Sequence, residues 1–200
     1  MLPFKNIFTA VKVFCLLPII MIGHFSYGQN EFHPVKEYTL TINNEMVNLA
    51  GKDMPAMTIN GGIPGPTLRF TEGDSAIIHV INKMGVETSV HWHGILIPNF
   101  YDGVPYLTTP PIKAGETFTY KFPIVQNGTY WYHSHTALQE QNGVYGAFVI
   151  EPKEKTQDYN KELVLVLSDW TNQQPKFVLK NLKRGNEWYN IKKKTITPLN

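Results

Sequence analysis

The 200-residue sequence has almost no cysteine. Its single Cys is Cys15, which falls inside the first apolar run. From residue 29 onward there is none, which excludes disulfides, a thiolate nucleophile and a thiolate metal ligand from that part of the chain. Long helical periodicity is absent too: no extended stretch repeats apolar residues at i, i+3, i+4 and i+7. Neither sign of charge dominates, with 18 Lys and Arg against 16 Asp and Glu and a formal net charge of +2. That balance argues against nucleic acid or an anionic membrane as a general partner. Lys176, Lys180, Lys183, Arg184, Lys192, Lys193 and Lys194 gather near the C-terminus, but Leu, Trp and Tyr interrupt them in strand-like order, and they read as a solvated face.

A long membrane-spanning run is also lacking. Val13 to Ile22 is too short to cross a bilayer comfortably, and Pro18 breaks it. Lys5 and Lys12 precede or open this run, and Ser26-Tyr27-Gly28 places small residues where a signal peptidase reads. Residues 1–28 are therefore expected to be a signal peptide cleaved after Gly28. Lys12-Val13-Phe14 before Cys15 is not a lipoprotein cleavage box. The mature chain is expected to be periplasmic or secreted, with no stable membrane span.

What the sequence does contain is a series of short strands between Gly, Pro and Asn turns, the pattern of an all-β sandwich or barrel. Tyr38–Ile42, Met57–Ile59, Thr67–Phe70, Ser75–Ile81, Thr88–His93, Thr117–Phe122, Thr129–His133 and Val144–Ile150 are the expected strands. Gly61-Gly62-Ile63-Pro64-Gly65-Pro66 is expected to be an irregular loop. Glu151 to Asn160 is polar and contains Pro152, and a new apolar strand is expected at Glu162–Leu167. The one or two strands after that break cannot close a second sandwich. The expected organisation is one domain over residues 29–152, followed at 153–200 by the start of a second, incomplete one.

Two His-x-His pairs carry the chemistry: His91-Trp92-His93 and His133-Ser134-His135. In a strand, residues i and i+2 share a face, about 6.6 Å apart along the backbone. Each pair can thus present two imidazoles to one metal or to two neighbouring metals. Imidazole ligation without thiolate suits Cu, Zn, Ni or non-haem Fe. No His-Glu-x-x-His helix is present, and Gly94-Ile95-Leu96-Ile97 after the first pair does not supply the further ligands of a zinc hydrolase. His33 and His79 are isolated and read as structural. Met46, Met54, Met57 and Met84 are scattered.

The order His91-Trp92-His93-Gly94, Asp102-Gly103-Val104-Pro105, Pro111-Ile112-x-x-Gly115, Tyr120-x-Phe122, Gly128-Thr129-Tyr130-Trp131-Tyr132-His133-Ser134-His135 and Gly143-Val144-Tyr145-Gly146 resembles the first cupredoxin (plastocyanin-like) domain of multicopper oxidases. Asn60-Gly61-x-x-Pro64-Gly65-Pro66-Thr67 matches as well. Gln139–Gly146 and Leu167-Ser168-Asp169-Trp170 are most similar to the bacterial periplasmic copper-resistance members. The resemblance covers nearly all of the chain beyond residue 28. It implies a cupredoxin-like Greek-key β-sandwich, followed by the opening strands of a second cupredoxin domain.

The same resemblance implies half the ligand set of a trinuclear copper cluster that reduces dioxygen to water. His91 would bind the type 2 copper, His93 and His133 would share one type 3 copper, and His135 would bind the other. Asp102 matches the family's acid beside the cluster. It could pass protons to bound oxygen species, or simply be the turn Asp before Gly103. Trp92, Tyr130, Trp131 and Tyr132 read as packing residues. The family's last domain contributes a His-Cys-His segment that holds the type 1 copper and completes the cluster, and these 200 residues contain no such segment. They are expected to be inactive alone and to depend on C-terminal cupredoxin domains or a partner chain, with Cu(I) or a phenol as electron donor. The alternative is a non-catalytic module that sequesters or carries copper.

Overall fold

A computed structural model describes residues 34–154 and 158–184. The expected signal peptide, His33 and residues 185–200 lie outside the described residues. In chain order the strands are β1 (Val35–Val47), β2 (Met54–Ile59), β3 (Gly65–Thr71), β4 (Ser75–Asn82), β5 (His91–His93), β6 (Thr117–Pro123), β7 (Gly128–His133) and β8 (Tyr145–Glu151). A helix α1 (Pro175–Lys183) follows. Short 3₁₀ turns occupy Asn99–Tyr101 and Glu140–Asn142.

The strands form two four-stranded sheets, ordered β2-β1-β4-β6 and β3-β8-β7-β5. Most pairings are antiparallel, but β1 runs parallel to β4 and β3 runs parallel to β8. Each parallel pair needs a crossover between the sheets, and this closes the sandwich. Alternation sets which side faces inward. In β4, Ala76, Ile78, Val80 and Asn82 are buried while their neighbours are only partly so. The two inner faces meet through aromatics. Trp92 of β5 meets Tyr120 of β6 edge to face at 5.0 Å across the sandwich, while Phe70 and Phe148, on adjacent strands of the second sheet, stack with centroids 4.9 Å apart. Trp92 therefore joins the sheet carrying both histidine pairs to the opposite sheet, and it is wholly buried.

Turns are built from the chemistry expected of them. At Glu72-Gly73-Asp74, Gly73 has φ +96°. Asp74 accepts from the Thr71 amide at 2.7 Å and pairs with Lys36 at 3.3 Å. The loop before β3 contains a cis Ile63–Pro64 peptide.

Two expectations about local structure are corrected. The strand expected at Thr88–His93 is limited to His91–His93. Thr88 makes an isolated bridge to Ile112, and its neighbours' polar groups bond to loops instead of continuing the ladder. The strand expected at Glu162–Leu167 does not form, because the segment has no ladder partner among the described residues. Leu163, Leu165 and Leu167 are 80%, 74% and 93% exposed, so this apolar row is uncovered. The segment is tied to the sandwich by Arg69, whose guanidinium pairs with Glu151 at 2.9 Å and with Glu162 at 2.8 Å. One short helix is also present, beyond the expected strands. Pro175 opens α1 with its pre-set φ, and Val178, Leu179 and Leu182 make one apolar face. Nine residues were too few to register as a long periodic stretch.

β8 departs from alternation, being buried from Tyr145 through Ile150. Its inner residues, Gly146, Phe148 and Ile150, face the core. On the outer side Tyr145 and Ala147 line a groove of about 790 Å³ shared with residues 164–171 and α1. No helix among the described residues is long and apolar enough to cross a membrane.

Gly146 shows how tightly the second sheet packs. A Cβ there would overlap the Tyr132 ring and hydroxyl, and that hydroxyl donates to the Pro66 carbonyl at 2.8 Å. Gly146→Ala is predicted to destabilise the domain by about 1–3 kcal/mol through overpacking. Chemical denaturation checks this, and a midpoint equal to wild type would contradict the packing described.

Candidate metal centre

The site begins with one register. β5 and β7 pair antiparallel so that His91 faces His133, Trp92 faces Tyr132 and His93 faces Trp131. Because side chains alternate, Trp92 and Tyr132 point into the core, and the histidines and Trp131 point to the outer face of the second sheet. His135 lies two residues beyond the end of β7 and rejoins the group.

All four expected histidines converge there. Ring centroids are 5.5 Å apart for His91 and His133, 4.8 Å for His91 and His135, and 5.0 Å for His133 and His135. One ligand nitrogen from each of His91, His93 and His133 can be chosen so that all three lie within 4.8 Å of one another. Nδ1 of His93 is hydrogen-bonded to Nε2 of His133 at 3.2 Å, which places these two nitrogens close enough to be ligands of one metal. Trp131 stacks on His133 with centroids 4.0 Å apart and 15° between planes, which fixes the tilt of that imidazole.

Hydrogen bonds decide which nitrogens are free. Nδ1 of His91 lies 2.7 Å from the Asp102 backbone carbonyl and 3.4 Å from that residue's Oδ1. Nδ1 of His133 lies 3.1 Å from the Ser134 carbonyl and 2.9 Å from Glu140 Oε2. A carbonyl can only accept, so both rings donate from Nδ1; Nε2 of His91 is then available to a metal, and Nε2 of His133 is an acceptor that faces His93 Nδ1. Burial, reinforced by the neighbouring imidazoles, pushes the His133 pKa down to about 4. His135 is lowered for the same leading reason, with the Glu140 and Asp102 carboxylates opposing. Neutral imidazoles with free nitrogens on one face fit a transition metal that accepts nitrogen ligands.

Asp102 ends the Asn99–Tyr101 turn, and Thr108 Oγ1 approaches its Oδ2 at 3.5 Å. Gly103 follows with φ +84°, and a Cβ there would overlap the Val90 carbonyl. Only glycine lets this loop lie against the strand beside His91. His79, read as structural, bridges Glu37 at 2.6 Å and Thr119 at 2.9 Å in the other sheet. Trp92 and Tyr132 are core residues. Trp131 is not simply packing, since it holds His133.

Sequence reasoning missed the residues that lock the two pairs together. Gln139 is buried, and its Oε1 accepts from Thr88 Oγ1 at 2.6 Å and from Ser134 Oγ at 2.9 Å. Its Nε2 donates to the Glu87 carbonyl at 2.8 Å. Ser89 Oγ accepts from the His135 amide at 3.1 Å and lies 2.9 Å from Thr136 Oγ1. The Gln139-Glu140 signal was present in the matched motif without an assigned role.

An all-β sandwich that gathers four imidazoles on one sheet face is a metal-binding β-sandwich of cupredoxin type. Comparisons with known proteins narrow this. A multicopper oxidase family model matches residues 41–155. Copper resistance protein A of Escherichia coli is 48% identical over 161 residues, 80% of this chain and 27% of that protein. Laccase-2 of Botryotinia fuckeliana is 43% identical over 141 residues, 68% of this chain and 24% of that protein. Among solved structures, a laccase from B. aclada aligns with TM-score 0.69 at 40% identity, covering 76% of this chain and 29% of that one. Fet3p, a multicopper oxidase that functions in iron import, aligns with TM-score 0.67 at 37% identity, covering 74% and 29%. The chain belongs to the multicopper oxidase family, whose cofactor is copper. It spans about a quarter of the length of the curated relatives it matches.

Gln139→Leu is predicted to leave the Thr88 and Ser134 hydroxyls without their shared acceptor. The expected cost is about 1–3 kcal/mol, read as a lower denaturation midpoint. An unchanged midpoint would show that these bonds do not hold the two histidine segments together.

Proposed function

We propose that this chain supplies half the ligands of a trinuclear copper cluster that reduces dioxygen to water while Cu(I) or a phenol-type donor is oxidised. The convergence of four imidazoles on one sheet face carries this reading. His91 holds the type 2 copper, His93 and His133 share one type 3 copper, and His135 holds the other. The 3.2 Å approach of His93 Nδ1 to His133 Nε2 supports the shared assignment. Copper, when bound there, supplies one-electron chemistry toward dioxygen.

The chain's own residues do the rest. The Asp102 carbonyl fixes the His91 ring, and its carboxylate, 3.4 Å from Nδ1, can hold and release a proton beside the cluster. Gln139 and Ser89 keep the two ligand segments in register. The remaining ligands and the type 1 copper come from C-terminal cupredoxin domains or a partner chain. Residues 153–200 open the second such domain, which agrees with the uncovered leucines at 163, 165 and 167. Export to the periplasm or beyond fits the basic and apolar start of the chain. Copper storage without turnover is the second reading, favoured for these 200 residues by the absence of any Cys other than Cys15.

A copper titration with parallel oxygen-uptake measurements tests both readings. The chain from residue 29 onward is predicted to bind copper without intense blue absorption, because that colour needs a Cys thiolate on Cu(II). It is also predicted to consume no oxygen with phenols or Cu(I). Replacing His91 and His135 together with Ala should weaken copper binding at least about tenfold, since each change removes an imidazole ligand. Unchanged binding would remove the ligand assignment, and sustained oxygen uptake would remove the claim that this chain holds only half of the centre.

A further inference from the structure

Behind His133, on the side away from the other imidazoles' meeting point, sits a second acidic side chain. Glu140 lies in the 3₁₀ turn Glu140–Asn142, just after Gln139. Its Oε2 is 2.9 Å from His133 Nδ1, and its Oε1 accepts from Gln141 Nε2 at 3.1 Å. Both carboxylate oxygens are therefore engaged. Glu140 is about one-third exposed while the His133 side chain is almost fully buried, 34% against 6%, so the carboxylate meets solvent on one side and the imidazole on the other.

The position of Glu140 repeats what is seen at His91. There the Nδ1 proton faces a backbone carbonyl and a carboxylate of Asp102. At His133 it faces the Ser134 carbonyl and the carboxylate of Glu140. The two residues that oppose each other across the β5–β7 register thus each have a carbonyl and a carboxylate behind them. A carbonyl alone suffices to set the tautomer. A carboxylate adds negative charge at the proton, which makes the opposite nitrogen a stronger donor to a metal.

We propose that Glu140 is a positioning residue for the metal centre. The Ser134 carbonyl accepts the His133 Nδ1 proton, and the Glu140 carboxylate beside it adds negative charge that strengthens Nε2 as a copper ligand. This rests on the copper reading above for its consequence at the metal, but not for the 2.9 Å contact itself. Glu140 touches neither the reacting atoms nor the copper; it acts through His133. Its 3₁₀ turn is pinned to the ligand segments by Gln139, so the carboxylate has little freedom to swing away.

Glu140→Gln tests the charge while keeping the shape and an acceptor oxygen. Two readouts are needed on the chain from residue 29 onward. The first is the His133 Nδ1 proton in the copper-free protein, followed by ¹H–¹⁵N NMR. It should be protected and far downfield in wild type, and should move upfield and exchange faster in the variant. The second is Cu(II) affinity by competitive titration, which should fall about tenfold, the low end for loss of a group that buttresses a metal-bound histidine. Circular dichroism should show the same fold in both proteins. An unmoved proton resonance or an affinity within twofold of wild type would each overturn the proposal. Should the variant unfold, a His133 Nδ1 proton in wild type that exchanges as freely as an exposed imidazole would overturn it. A wild-type chain that binds no copper would defeat the copper reading instead, and the proton resonance alone would then decide the role of Glu140.

Discussion

The arrangement depends on one strand register. His91 faces His133 across β5 and β7, and everything at the site follows from that pairing. A slip of one residue would exchange the faces. Trp92, wholly buried and touching Tyr120, Phe122 and Phe148, would turn to solvent, and imidazoles would enter an aromatic core with no hydrogen-bond partners. Loss of a buried Trp costs about 3–5 kcal/mol, and an unpaired buried polar group about 1–3 kcal/mol more. The core residues between the histidines therefore specify the metal face. The strand that carries the first pair is only three residues long, so its own ladder cannot supply that specificity.

A short edge strand has to be held from outside, and the structure does this with polar cross-links on both sides of it. Before β5, Thr88 and Ser89 bond to Gln139, Thr136 and the His135 amide. After it, the Gly103 loop lies against Val90 and lets the Asp102 carbonyl reach His91. These bonds tie the segment before the first histidine pair to the second pair and the turn after it, which explains why polar residues such as Gln139 and Ser134 are buried here. A metal site needs ligands that are placed before the metal arrives, and buried hydrogen bonds give that placement better than mobile surface side chains.

Much of this was legible in the sequence because it rests on short-range rules. Alternation marked β1 and β6, Gly and Pro marked the turns, and two His-x-His pairs on expected strands predicted a shared face. The spacing of the motifs pointed to the family. What was not legible depended on long-range partners. Thr88–Val90 has strand-like composition, but its side chains bond to a loop about 50 residues away. Glu162–Leu167 has the pattern of a strand and finds no ladder partner, and a strand exists only when it is paired. Helix α1 was signalled by Pro175 and the Val178, Leu179, Leu182 face but was too short to stand out. Gln139 and Glu140 are polar residues in a polar stretch, and nothing local distinguishes a buttress from a solvated turn.

The central claim is that imidazoles on this one sheet face hold the metal. Copper-edge X-ray absorption on the loaded chain tests it most directly, because outer-shell scattering from imidazole rings distinguishes histidine ligands from carboxylate or water. The account predicts a first shell dominated by nitrogen with strong imidazole multiple scattering, and loss of that signature when His91, His93, His133 and His135 are replaced. A shell of oxygen ligands without imidazole scattering, or a signature that survives those replacements, would place the metal elsewhere and contradict the account.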